Sequence, residues 1–585
     1  MPENTPHMTY RLELTRNTAN IGFYACVPEN SMSIEEIARY LEQIPNDQFM
    51  HSHFLALIAE LKKDDLNNLF LRNKENVIWA AAYYETLILS DSLKLAAQPH
   101  DKYSQQIAAG DFKILAKEGQ QVILKGTPLI FIKWALAPDQ ELRLFWNNIF
   151  LRNIDSHELQ QPEHLPQLTE ESSKLIREIG ATKDKVACIH LSELAIPCHN
   201  QADKELPTRS VPPGVTAKKA IERLSSVGLI SEPERKMGTF MAPYAFRRMW
   251  RMDISTFAGR NRFRLKGDQT SYGKGLSEEG ARASCLMEMV ERYSAFASWA
   301  DEKSVGYKGE FRLVKSRLSA LLSQGVNALD PNALSLEVAY TDDELYWISA
   351  EELTLEGRRS ILVPAQCVFL FSNFDEPCLA TGISSNGIAS GNTLAEARLH
   401  ALLEYIERDS ERVGLYSMRR SFLLHTTGTS ADIVMKKFER RGLLVQFLDL
   451  TSELGIPCYK AFVQTKDGSI IKGTGAGLNG KAAILSALSE LSCPLFTESM
   501  PPPSGLQVLR YEELPDYSTN DIAGDLNLLE RLLLLNKLRI VYVDLTRSDI
   551  DIPVVRAIIP GLEFMPVLDR FSGISRRQFL NYLES

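Results

Sequence analysis

The stretch that decides the reading of this chain is EMVERYS at residues 288–294, taken together with EYIERDS at 404–410. Both spell E-x-x-E-R-x-S, and the echo extends backwards. GLSEEGARASCLMEMVERYS (Gly275 to Ser294) aligns with GNTLAEARLHALLEYIERDS (Gly391 to Ser410), with Gly, Ala-Arg, Leu, Glu, Glu-Arg and Ser in register. A fainter third copy, GLNGKAAILSALSE (Gly477 to Glu490), keeps the Gly, an Ala, a Leu and the first Glu. Each copy sets a glycine before a helical pattern, so one helix is built three times, each time opened by a glycine turn.

Positions i, i+4 and i+7 of a helix share a face. Ser284, Glu288 and Glu291 form one such set; Glu396, His400, Glu404 and Glu407 form another, with Arg408 at its edge. Glu490 stands alone in the third copy. Carboxylates stacked on one face repel unless a cation lies between them. Mg²⁺ suits the role, because it prefers oxygen ligands and shares them with phosphate. A single E-x-x-E-R run is usually a solvated helix face. Here the repetition, and the Ala, Leu and Met around each glutamate, point to packed helices instead. GKG (Gly273 to Gly275) and ASGNT (Ala389 to Thr393) stand just before the helix starts, where free N–H groups and the helix dipole favour phosphate. Neither is a Walker A loop. Upstream, RNRFRLK places Arg260, Arg262, Arg264 and Lys266 at period two, either as an exposed basic edge or as a docking surface.

With 585 residues, 44% of them apolar and 24% charged, the chain has room for at least two globular domains. The excess of 74 acidic over 65 basic side chains argues against broad nucleic-acid binding. MPENTPHMTYRLE lacks the pattern of a secretory signal, and no apolar run is long enough to span a membrane. Eight scattered cysteines without a C-x-x-C read as reduced thiols, so a cytoplasmic protein is expected. Cys188, His190, Cys198 and His199 fit no usual zinc spacing and read as incidental.

Residues 1–155 carry helix-period patterns and are expected to form a mostly helical domain with its own core, serving peptide or partner recognition. SMSIEEIARYLEQI opens with a capping box of Ser33 and Glu36, and FKILAKEGQQVILKG reads as a hairpin. Residues 156–204 form a linker region, with polar, Pro-bearing HELQQPEHLPQLTEESS at 157–173. From 205 to 585 strands and helices interleave into an α+β domain. CYKAFVQTKDGSIIKGTGAG is a hairpin there, and LRIVYVDLTR and IPVVRAIIPG are late strands rich in β-branched residues.

GKGLSEEGARASCLMEMVERYSA, SNGIASGNTLAEARLHALLEYIER and VDLTRSDIDIPVVRAIIPGLE, in that order, resemble the YcaO family over roughly residues 205–565. The resemblance implies a domain that uses ATP and Mg²⁺ to activate a peptide backbone amide. A nucleophile adds to the carbonyl, and the amide oxygen is phosphorylated and expelled. A neighbouring Cys, Ser or Thr side chain then yields an azoline, and external sulfide yields a thioamide. One branch serves as accessory factor for methylthiolation of ribosomal protein S12. Carried over, Ser284, Glu288, Glu291, Asn392, Glu396, Glu404, Glu407, Arg408 and Glu490 are nucleotide-site positions. Of these, Glu288, Glu291, Glu404, Glu407 and Glu490 are the implied Mg²⁺ ligands, and Arg408 the implied catalytic cation. The implied partners are a peptide or ribosomal-protein substrate, a TfuA-like or methylthiotransferase protein, and a second copy in a homodimer; nucleic acid and membrane are not expected. Two departures bear on the chemistry. Ser486 stands where the family usually has an arginine, four residues before the third-motif glutamate, and FLNYLES stands where azoline-forming members typically have a Pro-x-Pro-x-Pro tail. Thioamide formation or a related modification is one expectation. A weakened nucleotide-binding scaffold that assists another enzyme is the other.

Overall fold

The computed structural model describes residues 7–18, 21–73, 75–92, 129–135, 137, 139–158, 174, 177, 188–195, 211–238, 241–494, 496–565, 567–569 and 571–584. The hairpin expected around 113–125, most of the linker, Cys198 and His199 lie outside these residues. Three sheets of seven, six and five strands carry the fold, with helices packed between and over them, so the architecture is mixed α+β as expected. None of the described helices is long and apolar enough to cross a membrane.

Each sheet donates one strand to the repeated unit. In the seven-stranded sheet the long hairpin Tyr244–Ala258 and Asn261–Gly275 runs into the helix Glu278–Ala295. In the six-stranded sheet the strand Ile388–Ser390 precedes the helix Leu394–Val413. In the five-stranded sheet the strand Ile470–Ala476, paired antiparallel with Cys458–Gln464, precedes the helix Gly480–Glu490. The apolar segments late in the sequence are the paired strands Ile540–Asp544 and Val554–Ile558.

The N-terminal region differs from its expectation in two ways. Its helices are present, and Ile34–Gln43 opens with the Ser33/Glu36 capping box read from the sequence. Before them, however, Met8–Thr18 and Ile21–Pro28 form a hairpin, and the first of these strands pairs in parallel with Asn261–Gly275. Nor is its core separate: Tyr10, Leu12, Ile37, Phe54 and Trp79 are buried in one continuous cluster with Trp250, Leu265, Tyr405 and Val554. Buried polar side chains seal the join. Tyr10 donates to Asp47 (2.6 Å), Asn373 donates to Asp47 (2.9 Å), and Asn261 donates to the Asn46 carbonyl (3.2 Å). Further on, Asn153, near the end of the helix Gln140–Ser156, bonds both the N–H and the carbonyl of Tyr416.

RNRFRLK is neither an edge nor a free docking surface. Its strand is paired on both sides, and Arg260, Arg264 and Lys266 are held by Asp375, Asp253 and Glu29. In the cysteine–histidine segment, the Cys188 thiol donates to Asn536 (3.0 Å) and His190 caps a short helix. Among the described residues no group of three His, Cys, Asp or Glu side chains is placed to hold a metal by itself.

Candidate functional site

Each repeat helix starts on a side-chain cap. Ser277 accepts from the Gly280 N–H (3.1 Å), Thr393 from that of Glu396 (3.1 Å), and Asn479 from that of Ala482 (2.9 Å). A cap of this kind contributes about 1 kcal/mol. The glycines before the helices have a packing role that the sequence did not show. A Cβ on Gly273 would overlap backbone atoms of Ala281 and Cys285, and one on Gly475 those of Ala483 and Ala487. One on Gly391 would meet the Ala397 nitrogen. These glycines let each helix lie directly against a strand. Gly273 to Gly275 belong to the strand itself, not to a loop cradling phosphate.

The three units then interlock in a ring. The first helix packs beside the second unit's strand, where Ser390 Oγ donates to the Met287 carbonyl (3.1 Å). The second helix packs beside the third unit's strand, where the Ala476 N–H donates to Glu407 (3.1 Å). The third helix returns to the first unit's strand, where Glu490 pairs with Lys274 (2.7 Å). Glu288 also accepts from the Tyr272 N–H (2.7 Å).

This ring brings the five glutamates of the three motifs together. Glu288, Glu291, Glu404 and Glu407 are half-buried. Burial, which penalises a charged carboxylate, raises the pKa of Glu288, Glu291 and Glu404, and pushes that of Glu407 up to about 8. Across the helices they also act on one another: Glu404 on Glu291, Glu288 on Glu404, and Glu490 on both Glu288 and Glu407. Lys274 pairs closely with Glu490, but the cations near the other glutamates are more distant or shared. Arg292 stands 3.7 Å from Glu288 and 3.5 Å from Glu291; Arg408 lies 3.4 Å from Glu407 and 3.0 Å from Glu411. A buried acidic cluster so incompletely neutralised suits a divalent cation. The all-oxygen donor set fits Mg²⁺, which binds through one or two carboxylates plus phosphate oxygens rather than in an all-protein cage.

The other expected positions lie apart from this cluster. Asn392 donates to Glu396 through its backbone (2.9 Å) and its side chain (3.0 Å), and accepts from Thr216 (3.0 Å). Both sit at the start of the second helix, about two turns before Glu404. Ser284 and Ser486 occupy equivalent exposed positions one turn before Glu288 and Glu490. The structure adds one residue that the sequence reading left unassigned. Arg556, in the strand Val554–Ile558, is fully buried; it donates to the Ser384 carbonyl (2.8 Å), while Nε and Nη2 have no hydrogen-bond partner. Burial lowers its pKa to about 10, and Glu404 pulls the other way. Donors of this kind, acted on by Glu404, are of the type that suits phosphate oxygens. An arginine inside the apolar run IPVVRAIIPG was the available signal.

Comparison with known proteins gives the same outline. The family model described as YcaO cyclodehydratase, ATP- and Mg²⁺-binding, matches residues 272–495 and 493–563. An uncharacterized protein of Methanothermobacter thermautotrophicus is 33% identical over 334 residues, covering 50% of this chain and 82% of that protein. An uncharacterized protein in the tfuA 3′ region of Rhizobium leguminosarum bv. trifolii is 29% identical over 199 residues, covering 33% of this chain but 44% of that one. Among solved structures, a heterocyclase in complex with substrate and cofactor aligns with a TM-score of 0.49 at 20% identity, over 66% of this chain and 59% of that one. The YcaO protein of Methanopyrus kandleri bound with AMPPCP and Mg²⁺ aligns with a TM-score of 0.45 at 22% identity, over 64% of this chain and 97% of that one.

Proposed function

The chain belongs to the YcaO family, whose cofactors are ATP and Mg²⁺, and we propose that it activates a backbone amide of a peptide for thioamide formation or a related modification. The observation that carries this reading is the electrostatic coupling of Glu288, Glu291, Glu404, Glu407 and Glu490, half-buried glutamates from three repeats that act on one another across the helices. Bound ATP with Mg²⁺ supplies a phosphoryl group for the amide oxygen, which makes that oxygen a leaving group once a nucleophile has added to the carbonyl carbon. One or two of the five glutamates would hold the cation, Arg292, Arg408 and Arg556 would offer donors to the phosphates, and Arg408 is the residue assigned to the charge that develops in transfer. Ser284 is an exposed position one turn before Glu288, while Asn392 and the buried Glu396 order the start of the second helix. The relative in the tfuA 3′ region supports a TfuA-like partner.

A second reading rests on Ser486. Where a long cation would reach phosphate, the third helix presents a short exposed hydroxyl, and Glu490 is occupied by Lys274. That arrangement suits a scaffold that binds nucleotide and assists another enzyme, such as a methylthiotransferase acting on a ribosomal protein. Calorimetry of ATP binding, with Mg²⁺-dependent hydrolysis measured with and without peptide, separates the two. The amide-activating reading expects binding and slow turnover that peptide and partner stimulate. Binding without turnover under every condition favours the scaffold, and absence of binding rejects both.

A further inference from the structure

The five-stranded sheet holds a cavity of about 360 Å³ that none of the five glutamates lines. Phe422 and Tyr459 form part of its wall, with Gln507 and Leu509 from the strand Gln507–Arg510. That strand is the last in its sheet. It pairs in parallel with Ser421–His425, and no strand among the described residues takes its other side. The register sets Gln507 opposite Phe422 and Leu509 opposite Leu424, so alternate side chains of the outer strand face the cavity. Gln507, Val508 and Arg510 are exposed. A free strand edge beside an apolar hollow is the geometry of strand addition, where main-chain bonds give affinity and alternate side chains give selectivity.

The charges around the hollow define the occupant further. Its acidic groups face arginines: Glu513 accepts from Arg510 (2.9 Å), and Asp449 stands 3.9 Å from Arg420. Arg420 also donates to the Thr451 carbonyl (2.5 Å). Arg419 is exposed on the wall, with no carboxylate within ion-pair distance among the described residues. His190, also on the wall, is bonded to Ser192 through Nδ1 (3.2 Å). The charged group of the wall left without an opposite charge among the described residues is therefore a cation, Arg419.

We propose that this edge and cavity bind an extended acidic–apolar segment of the peptide substrate, which pairs with Gln507–Arg510, sets a carboxylate against Arg419 and lays an apolar side chain over Phe422 and Tyr459. The identity of the occupant rests on the amide-activating reading above. Its position links it to the repeats. Pro515 and Tyr517, also on the cavity wall, are bonded to the start of the third repeat helix, Pro515 accepting from the Gly480 N–H (2.8 Å) and Tyr517 donating to the Leu478 carbonyl (2.8 Å). A peptide held here lies against the loop that fixes that helix.

The probes are two fluorescein-labelled decapeptides, one alternating Val and Glu, the other Val and Lys, followed by anisotropy on the full-length protein. The glutamate peptide is expected to bind at least about tenfold more tightly. Arg419→Glu should reverse that preference, and Gln507→Trp, which fills the hollow, should weaken both peptides. Equal affinities, no binding of either peptide, or wild-type behaviour in both variants overturns the proposal. ATP binding is measured on the same samples. Peptide preference without ATP binding removes the amide-activating reading and leaves this site standing, whereas ATP binding without peptide preference removes this site alone.

Discussion

The role proposed for Glu407 in holding a cation carries a cost to folding. Its carboxylate is half-buried, accepts a hydrogen bond from Ala476, and has a pKa raised to about 8 by burial and by Glu490, Glu411 and Glu404. In an unfolded chain it would titrate near 4.3, at roughly the ordinary glutamate value. The folded state therefore binds more protons between these two values, and the stability owed to this group falls as pH rises through that window. Glu407→Gln removes the penalty, which is on the order of a few kcal/mol at most. In divalent-free buffer the variant's Tm should exceed that of the wild type, and the gap should widen from pH 5 to pH 8. Under saturating Mg²⁺, ATP hydrolysis by the same variant should fall roughly a hundredfold or more, as expected on losing a ligand to the cation. A variant less stable than wild type at pH 8, yet fully active, would show that Glu407 is merely a structural acceptor. The glutamates were legible in the sequence because E-x-x-E-R recurs at fixed places on a helix. Arg556 and Lys274 were not, because their partners Ser384 and Glu490 are set by tertiary structure and lie far along the chain.

At the scale of elements, the repeat is a strand and a helix pressed together through glycine. Gly475 faces the Ala483 carbonyl and the Ala487 nitrogen, and neither backbone atom can move without shifting the helix that carries Glu490. Gly475→Ala should therefore destabilise by about 1–3 kcal/mol through overpacking, and displace Glu490 as well. A lowered Tm with weakened Mg²⁺·ATP binding is the expected pair of results. An unchanged Tm would mean that the helix rides free of the strand. The repeat helices, the paired strands at 458–476 and the late strands were legible from periodicity and β-branched composition, whereas the helices Ser430–Arg440 and Ile522–Leu535 were not read. The glycines were visible too, but a glycine before a helix looks the same in sequence whether it admits a phosphate or a neighbouring backbone. The hairpin Met8–Pro28 escaped because its apolar alternation at Tyr10 and Leu12 stands before a long helical region, and its partner strand begins at Asn261.

At the scale of the whole molecule, the join between the first strands and the seven-stranded sheet decides whether the N-terminal region is an appendage or part of the same folding unit. Met8 to Leu12 pair with Phe263 to Gly267, which occupies an edge that would otherwise offer free N–H and carbonyl groups to other chains. Tyr10, Leu12 and Cys26 are buried, and the Tyr10 ring packs edge-on against Phe49 and Phe263. Each large apolar side chain withdrawn from water contributes about 1.5–3 kcal/mol, so removing the hairpin forfeits several kcal/mol. It also uncovers Phe263 and Leu265 and leaves Asp47 without the Tyr10 hydroxyl. Marginal stability in domains of this kind makes such a loss large. Deleting residues 1–30 should lower the Tm markedly and send most of the expressed protein into the pellet, even though every glutamate of the three repeats is retained. Recovery of the truncated chain as a soluble monomer with wild-type Tm and undiminished ATP binding would show that the repeats fold on a core of their own. The shared burial of Tyr10, Trp250, Leu265 and Tyr405 predicts the opposite outcome, because the strand on which the first repeat helix rests is paired edge to edge with the hairpin.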